Sequence, residues 1–204
     1  RDVLVEPYST PAIPTLTYPL VNSYTVGIEP TFSWALSNYA DSYTFQLATD
    51  INFNNLVVNV SNLTTNYYSV TGLSNSTTYY WRVKAKKYNL ESNFTSAYKF
   101  TTLASQQISL SWPINGVQVY TQTPNLVWYL PAGGTNYSYS LLYSTDQTFT
   151  TYSIINNVTT NQYTLSGLVP GVTYYWKVKL ISSLGEVVCY STAQSFKTFG
   201  NAVK

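Results

Sequence analysis

A long internal repeat constrains the fold of this 204-residue chain more than any other feature of its sequence. The heptapeptide TYYWRVK at residues 78–84 returns as TYYWKVK at residues 173–179, 95 residues later. The match extends in both directions, for example from PTFSW at residues 30–34 to PNLVW at residues 124–128. Because the matching unit is about as long as an ordinary domain, the sequence predicts a duplicated domain and not a solenoid of short repeats.

Within each copy, apolar and polar residues alternate with a period of two. Tyr79, Trp81 and Val83 alternate with Arg82 and Lys84, as expected for a strand with one buried face. Turn signals recur about every 8–12 residues, and no window has a convincing helical stripe. The sequence therefore predicts an all-β protein of two tandem antiparallel β-sandwiches, each with seven short strands.

The repeat also sets the predicted domain boundaries. We expect the two sandwiches at residues 11–103 and 108–200, joined by the short segment LASQQ at residues 103–107. Residues 1–10 have no counterpart in the second copy and are predicted to be an N-terminal extension.

The segment LVPGVTYYWKV at residues 168–178 resembles the E–F corner and F strand of a fibronectin type III domain, an immunoglobulin-like β-sandwich. The residues of that pattern in the second copy are Leu168, Pro170, Gly171 and Tyr174. The first copy keeps Leu73 and Tyr79 but has Asn-Ser in place of Pro-Gly. The resemblance extends over nearly the whole chain. The sequence YYWRV is common in secreted prokaryotic domains of this family.

This resemblance implies structural roles for six aromatic residues. Tyr79 and Tyr174 are expected to bury their rings and to return their hydroxyl groups to backbone upstream. The cores are expected to be filled by two pairs of tryptophans, Trp34 with Trp81 and Trp128 with Trp176. The family is a scaffold for spacing, adhesion and recognition without a shared chemistry, so the resemblance does not choose among these functions.

The composition argues against an enzyme. The chain has no His and one Cys, which removes the usual base of a nucleophile triad and the usual Cys/His metal ligands. Its eight carboxylates are scattered singly, and the equivalent Asp50 and Asp146 are interpreted as side chains that bond backbone in turns. We therefore expect no catalytic residues, no metal site and no cofactor.

Charge and hydropathy restrict the partners. Charged residues are only 9% of the chain and the net charge is +2, so nucleic acid is not an expected partner. No run approaches the roughly 20 apolar residues of a membrane span. The single Cys189 is interpreted as a small apolar residue in or beside a sandwich, with an intermolecular disulfide as the alternative.

Two basic stripes are predicted on the outward side of the F strands, one at Arg82, Lys84, Lys86 and Lys87 and the other at Lys177 and Lys179. A solvated strand face explains them, and recognition of an acidic partner is the alternative. Tyr80 and Tyr175 point outward beside them and are candidates for sugar binding. Trp112 matches Tyr18 in the other copy and is expected to pack near the first strand, which leaves no obvious tryptophan platform.

Six Asn-x-Ser/Thr sequons are candidates for N-glycosylation, all expected in turns or at strand ends. Their asparagines are Asn59, Asn62, Asn75, Asn93, Asn136 and Asn157. The abundance of Tyr, Thr, Ser and Asn, with few charges, is similar to that of surface proteins of thermoacidophilic archaea, including donor-strand filaments such as threads. The leading hypothesis is therefore an extracellular structural or adhesion protein of the cell surface. The alternative is an accessory carbohydrate-binding or spacer module of a larger secreted enzyme.

The N-terminal extension suggests how such a protein would assemble. Val3, Leu4 and Val5 are strong strand formers, bounded by Pro7 and Pro11. One interpretation is a frayed end or an edge strand of its own domain. The other is a donor strand that adds to an open sheet edge of the next copy, giving a head-to-tail polymer with other copies as the main partner and surface glycans as a further one.

Overall fold

Alternating apolar and polar residues produce strands throughout the part of the chain that the computed structural model describes, residues 9–130 and 137–200. All regular elements in these ranges are β-strands, so the all-β prediction is confirmed. The chain divides into two compact units between Leu103 and Ala104, at the start of the predicted linker.

The described part of each unit contains nine strands, where the sequence predicted seven. The strands of the first unit are β1 (Leu16–Tyr18), β2 (Ser23–Val26), β3 (Thr31–Trp34), β4 (Ser42–Ala48), β5 (Leu56–Leu63), β6 (Tyr67–Ser69), β7 (Thr78–Lys87), β8 (Leu90–Glu91) and β9 (Tyr98–Thr102). Those of the second unit are β10 (Ser109–Trp112), β11 (Val117–Val119), β12 (Asn125–Tyr129), β13 (Tyr137–Ser144), β14 (Ser153–Val158), β15 (Gln162–Thr164), β16 (Thr173–Ser182), β17 (Val187–Tyr190) and β18 (Gln194–Thr198).

Each unit is a sandwich of two sheets with the same strand order. In the first unit, a three-stranded sheet runs β1-β3-β6, and a six-stranded sheet runs β2-β9-β7-β4-β5 with β8 added beside β7. The second unit repeats this order as β10-β12-β15 and β11-β18-β16-β13-β14, with β17 beside β16. This arrangement is that of a fibronectin type III or immunoglobulin-like sandwich. In the first unit, β1, β3 and β6 correspond to the A, B and E strands, and β9, β7, β4 and β5 to the G, F, C and C′ strands.

The two additional strands of each unit have local causes. Pro19 and Pro113 follow β1 and β10, and a proline cannot donate a backbone hydrogen bond to the sheet. Beyond Pro19 the chain changes sheet, and β2 pairs in parallel with β9, as β11 does with β18. The short β8 and β17 pair with the ends of β7 and β16, so they lengthen existing hairpins.

Aromatic rings fill the core of the first unit. Phe32 of β3 lies between three rings, with centroid distances of 4.9 Å to Phe45, 5.1 Å to Trp81 and 5.6 Å to Phe100. Trp34 stacks on Phe45 at 6.2 Å. All five side chains are at most 1% exposed, and truncating a buried ring of this size typically costs about 3–5 kcal/mol.

The second core repeats the tryptophan pair with a different polar contact. The Trp128 and Trp176 rings are both fully buried, with centroids 6.5 Å apart. The Trp176 indole N–H donates to the Pro113 carbonyl at 2.8 Å. The indole N–H groups of Trp34, Trp81 and Trp128 are buried without a partner in the described residues.

A tyrosine at the start of each F strand ties the corner before it. The Tyr79 hydroxyl accepts a hydrogen bond from the backbone N–H of Ser74, and the Tyr174 hydroxyl accepts one from Val169, both at 3.0 Å. The rings are 4% and 7% exposed. Each unit therefore has the buried tyrosine corner of immunoglobulin-like sandwiches, although the first lacks the Pro-Gly turn.

Candidate functional site

The polar side chains of the described residues do not form a metal-binding group. No set of three or more Asp, Glu and Cys side chains in residues 9–130 and 137–200 is close enough to hold a metal ion. No helix in these ranges is long and apolar enough to cross a membrane.

Asp50 and Asp146 occupy equivalent turns after β4 and β13. The Asp50 carboxylate accepts hydrogen bonds from the N–H groups of Asn52 at 3.0 Å and Asn55 at 2.7 Å. The Asp146 carboxylate likewise accepts hydrogen bonds from the backbone N–H groups two and four residues downstream. The bond from Asn55 is the largest cause that lowers the pKa of Asp50, and the Thr150 hydroxyl is the largest for the pKa of Asp146. The predicted turn role is confirmed for both residues.

All positive side chains of the described residues lie on four strands, β7 and β9 in the first unit and β16 and β18 in the second. They are Arg82, Lys84, Lys86, Lys87, Lys99, Lys177, Lys179 and Lys197. Pairing places Lys99 beside Tyr80 and Lys197 beside Thr173, on the outer side of each six-stranded sheet. We call the outward side chains of these four strands the cationic face. It includes Lys99 and Lys197, which lie outside the two basic stripes predicted from the sequence.

Aromatic side chains hold a cation at the same position of each cationic face. The Arg82 guanidinium carbon lies 3.8 Å from the Phe53 ring centroid and 4.2 Å from that of Phe94. In the second unit, Lys177 Nζ lies 4.4 Å from the Phe149 centroid and 5.2 Å from that of Tyr190. Contacts of this kind contribute about 0.5–1 kcal/mol each at exposed sites. The cations are therefore kept at the surface in an ordered position.

Among the other cations of the face, Lys84, Lys87 and Lys179 each lie over one ring, at 5.2 Å, 5.6 Å and 5.2 Å from its centroid. The Lys84 ammonium pairs with Glu91, and Lys87 Nζ lies 3.8 Å from Asp41. The side chains of Lys86, Lys99 and Lys197 make no hydrogen bond or ion pair with the rest of the described chain. Positive charge is thus left available for an external partner.

A groove of about 280 Å³ lies on the outer side of the first six-stranded sheet. Its lining combines hydroxyl, amide and phenyl groups with the ammonium of Lys86 and the Lys84–Glu91 ion pair. The hydroxyl, amide and phenyl groups include those of Thr44, Gln46, Ser61 and Phe94. The Thr44 hydroxyl donates to that of Ser61 at 3.2 Å. In the second unit, the Ser140 hydroxyl donates to Asn156 at 2.8 Å across the equivalent strands.

The sequons differ in their surroundings. Asn59 lies inside β5 opposite Gln46, so its expected place in a turn or at a strand end is wrong. Asn62 and Asn157 are exposed near the ends of β5 and β14, with backbone φ of 60° and 59°. Asn93 is exposed after β8, whereas Asn75 is half-buried and its Nδ2 donates to the Leu103 carbonyl at 2.8 Å. Asn136 lies outside the described residues.

The two sheets of a sandwich do not overlap fully. Tyr68 of β6 packs on Phe45 of β4, with ring centroids 5.3 Å apart, so β6 lies over β4 and the edge strand β5 extends beyond it. Val58 and Val60 of β5 pair with the buried Leu47 and Phe45, which places them on the core side, yet both are only half-buried. A strand position beside β6 is therefore unfilled by the described residues. The predicted donor residues Val3, Leu4 and Val5 lie outside these residues.

Two predicted side chains have contrasting environments. Cys189 is buried, and its Sγ donates to the Gln106 carbonyl at 3.0 Å. Burial raises the pKa of this thiol, so it is a poor nucleophile. Trp112 does not pack as expected: it belongs to β10, pairs with Val127 and is 46% exposed. The register shift between Leu110 and Trp112 turns the indole outward, which the alternation of the sequence alone did not indicate.

Comparisons with known proteins show structural likeness only. No family model and no curated protein matches the chain. Solved structures that resemble it include the chicken CNTN1 FN1–FN3 domains, with a TM-score of 0.43 and 15% identity, covering 93% of this chain and 68% of that one. A segment of two fibronectin type III domains from chicken tenascin has a TM-score of 0.36 and 18% identity, covering 93% and 100%. The chicken interferon gamma receptor alpha chain has a TM-score of 0.36 and 10% identity, covering 94% and 99%.

Proposed function

We propose that this chain is an extracellular structural or adhesion protein that forms a repeating subunit of a cell-surface filament. Its subunits join head to tail when the N-terminal segment of one copy adds as a strand to the next copy. The observation that carries this proposal is the unfilled strand position beside β6.

That position has the properties of an acceptor. β6 is hydrogen-bonded to β3 on one side and is the edge of its sheet on the other. The half-buried Val58 and Val60 offer apolar surface next to this edge. Burying a valine side chain fully contributes about 1.5–3 kcal/mol relative to leaving it exposed. An added strand would complete the sheet and cover these side chains.

The donor segment proposed for this position is Val3-Leu4-Val5. Backbone hydrogen bonds would supply affinity, and alternate apolar side chains would enter the space above β5. Because donor and acceptor are different surfaces of one chain, such a contact does not close on itself and continues as a fibre.

Deletion and substitution test this assembly. The full chain should form filaments visible by electron microscopy, and a chain lacking residues 1–10 should remain monomeric. Val58→Lys should also prevent filaments, because it places a charge in the acceptor. Val57→Lys is the matched control, because it introduces the same charge at the exposed neighbouring valine and should leave filament formation intact. Filaments that persist after the deletion, or equal loss in both lysine variants, would contradict strand donation.

A protein of the cell exterior can carry N-linked glycans, and we propose that this chain does. Asn59, Asn62, Asn93 and Asn157 are exposed and suited to carry a glycan in the folded protein. Asn75 is not, because its side-chain nitrogen is bonded inside the E–F corner. Glycopeptide mass spectrometry of the protein isolated from its native surface should find glycans at several of the four and none at Asn75. Recovery of all four asparagines only in unmodified peptides would reject glycosylation.

A further inference from the structure

We propose that the cationic face binds an anionic polysaccharide, one that carries carboxylate or sulfate groups along its chain. This inference goes beyond the proposed filament and does not depend on strand donation. It rests on three features of the described residues: the one-sided charge, the chemistry of the groove and the repetition of the face.

Positive charge is strongly one-sided in each sandwich. All eight described Lys and Arg residues belong to the six-stranded sheets, and none belongs to β1, β3, β6, β10, β12 or β15. Near the face, Glu91 and Asp41 accompany Lys84 and Lys87, while Asp50 and Asp146 are engaged by their own turns. The ammonium groups of Lys86, Lys99 and Lys197 make no hydrogen bond or ion pair within the described part of the chain. A polyanion is the complementary partner for such a surface.

The groove favours a saccharide over an acidic protein. Lys84 and Glu91 of the lining pair with each other, which leaves the ammonium of Lys86 as its uncompensated charge. The lining also presents hydroxyl and amide groups from Thr44, Gln46 and Ser61 and a ring from Phe94. Hydroxyl and amide side chains both donate and accept hydrogen bonds, which suits the dense hydroxyl groups of a sugar chain. Asn59 and Asn62 line the β5 side of the groove, so a protein made without glycans leaves it open.

Repetition favours a polymer over a small anion. The cation held between two rings occurs at Arg82 in one unit and at Lys177 in the other. Exposed ion pairs are individually weak, typically below 1 kcal/mol. Two such faces in one chain gain avidity only from a ligand that repeats its charge.

Dextran sulfate and neutral dextran are a matched pair of probes, since they share a backbone and differ in charge. The full chain, produced without glycans, should bind immobilised dextran sulfate and not dextran. Its affinity should fall as NaCl is raised, because salt screens exposed charges. Absence of binding to dextran sulfate at low salt would overturn the proposal.

Paired variants separate the face from net charge. Lys99→Gln with Lys197→Gln removes two charges from the face and should weaken binding about tenfold. Thr31→Glu with Asn125→Glu lowers the net charge equally, but at exposed positions of the opposite sheets, and should weaken it much less. Coinciding unfolding curves establish that the variants are folded.

Two further results would overturn the assignment. Equal weakening by both double variants would mean that net charge alone governs binding. Tighter binding of poly-glutamate than of dextran sulfate at equal charge would assign the face to an acidic protein.

Discussion

Asp50 and Asp146 show how a single side chain can make the stability of a turn depend on pH. Each carboxylate is held by hydrogen bonds from its own turn, which lower the pKa of the group relative to an unfolded chain. A lowered pKa in the folded state contributes stability above the ordinary carboxyl pKa. That stability is lost as the pH falls through the lowered value. In the folded protein, the two carboxylates should therefore stay ionised in moderately acidic solution, where ordinary carboxylates are partly protonated.

A pH series of Asp146→Asn measures this contribution. The variant should be less stable than the parent near neutral pH, because an amide binds the donors of the turn less strongly than a carboxylate. The gap between their urea midpoints should narrow from about pH 5 to about pH 2, since the parent loses its advantage as Asp146 is protonated. A gap that stays constant over this range would show that the charge contributes nothing.

At the scale of the elements, the tyrosine corner connects each E strand to its F strand. The Tyr79 and Tyr174 hydroxyl groups accept hydrogen bonds from backbone N–H groups five residues upstream. Their rings stack on Phe100 and Phe196, with centroid distances of 5.7 Å and 5.8 Å. The same side chain thus fills the core and satisfies the corner. The first unit does this without Pro-Gly, so the hydrogen bond and not the turn sequence is the feature common to both.

Removing the hydroxyl isolates that bond. Tyr79→Phe and Tyr174→Phe should each destabilise the protein by about 1–3 kcal/mol, because a partly buried N–H loses its acceptor. Tyr80→Phe and Tyr175→Phe are controls on the outward face of the same strands and should change stability by less than about 0.5 kcal/mol. Denaturant midpoints measure all four, and equal effects in the two pairs would contradict the role of the corner.

At the scale of the whole molecule, the chain consists of two units with separate cores. Trp34 and Trp81 belong to the first, and Trp128 and Trp176 to the second. Each unit has about 100 residues, enough for an independently stable domain. The duplication thus doubles both the core and the cationic face.

Each unit should therefore fold alone. Chains of residues 1–103 and 104–204 should each unfold in a single cooperative transition, followed by tryptophan fluorescence. A unit that is unfolded in isolation, while the full chain is folded, would show that its core depends on the other unit.

Much of the fold follows from local sequence. The period-two pattern around Trp81 and Trp176 identifies the F strands and the core side of each, because a strand alternates its side chains between faces. The basic stripes follow from the same alternation. Two sites of the proposed face were missed, Lys99 and Lys197, because only strand pairing places them beside β7 and β16.

The sequence by itself determined the duplication, because a repeat is read by comparing two stretches of sequence. It also determined the sandwich class and the tyrosine corners, since these depend on residues close together in the chain. Only the tertiary structure decided which distant residues meet. The rings of Phe53 and Phe94 enclose Arg82 because three different segments converge on one face. Strand register decided that β2 pairs in the six-stranded sheet and that Trp112 is exposed. The unfilled position beside β6 depends on how far one sheet covers the other.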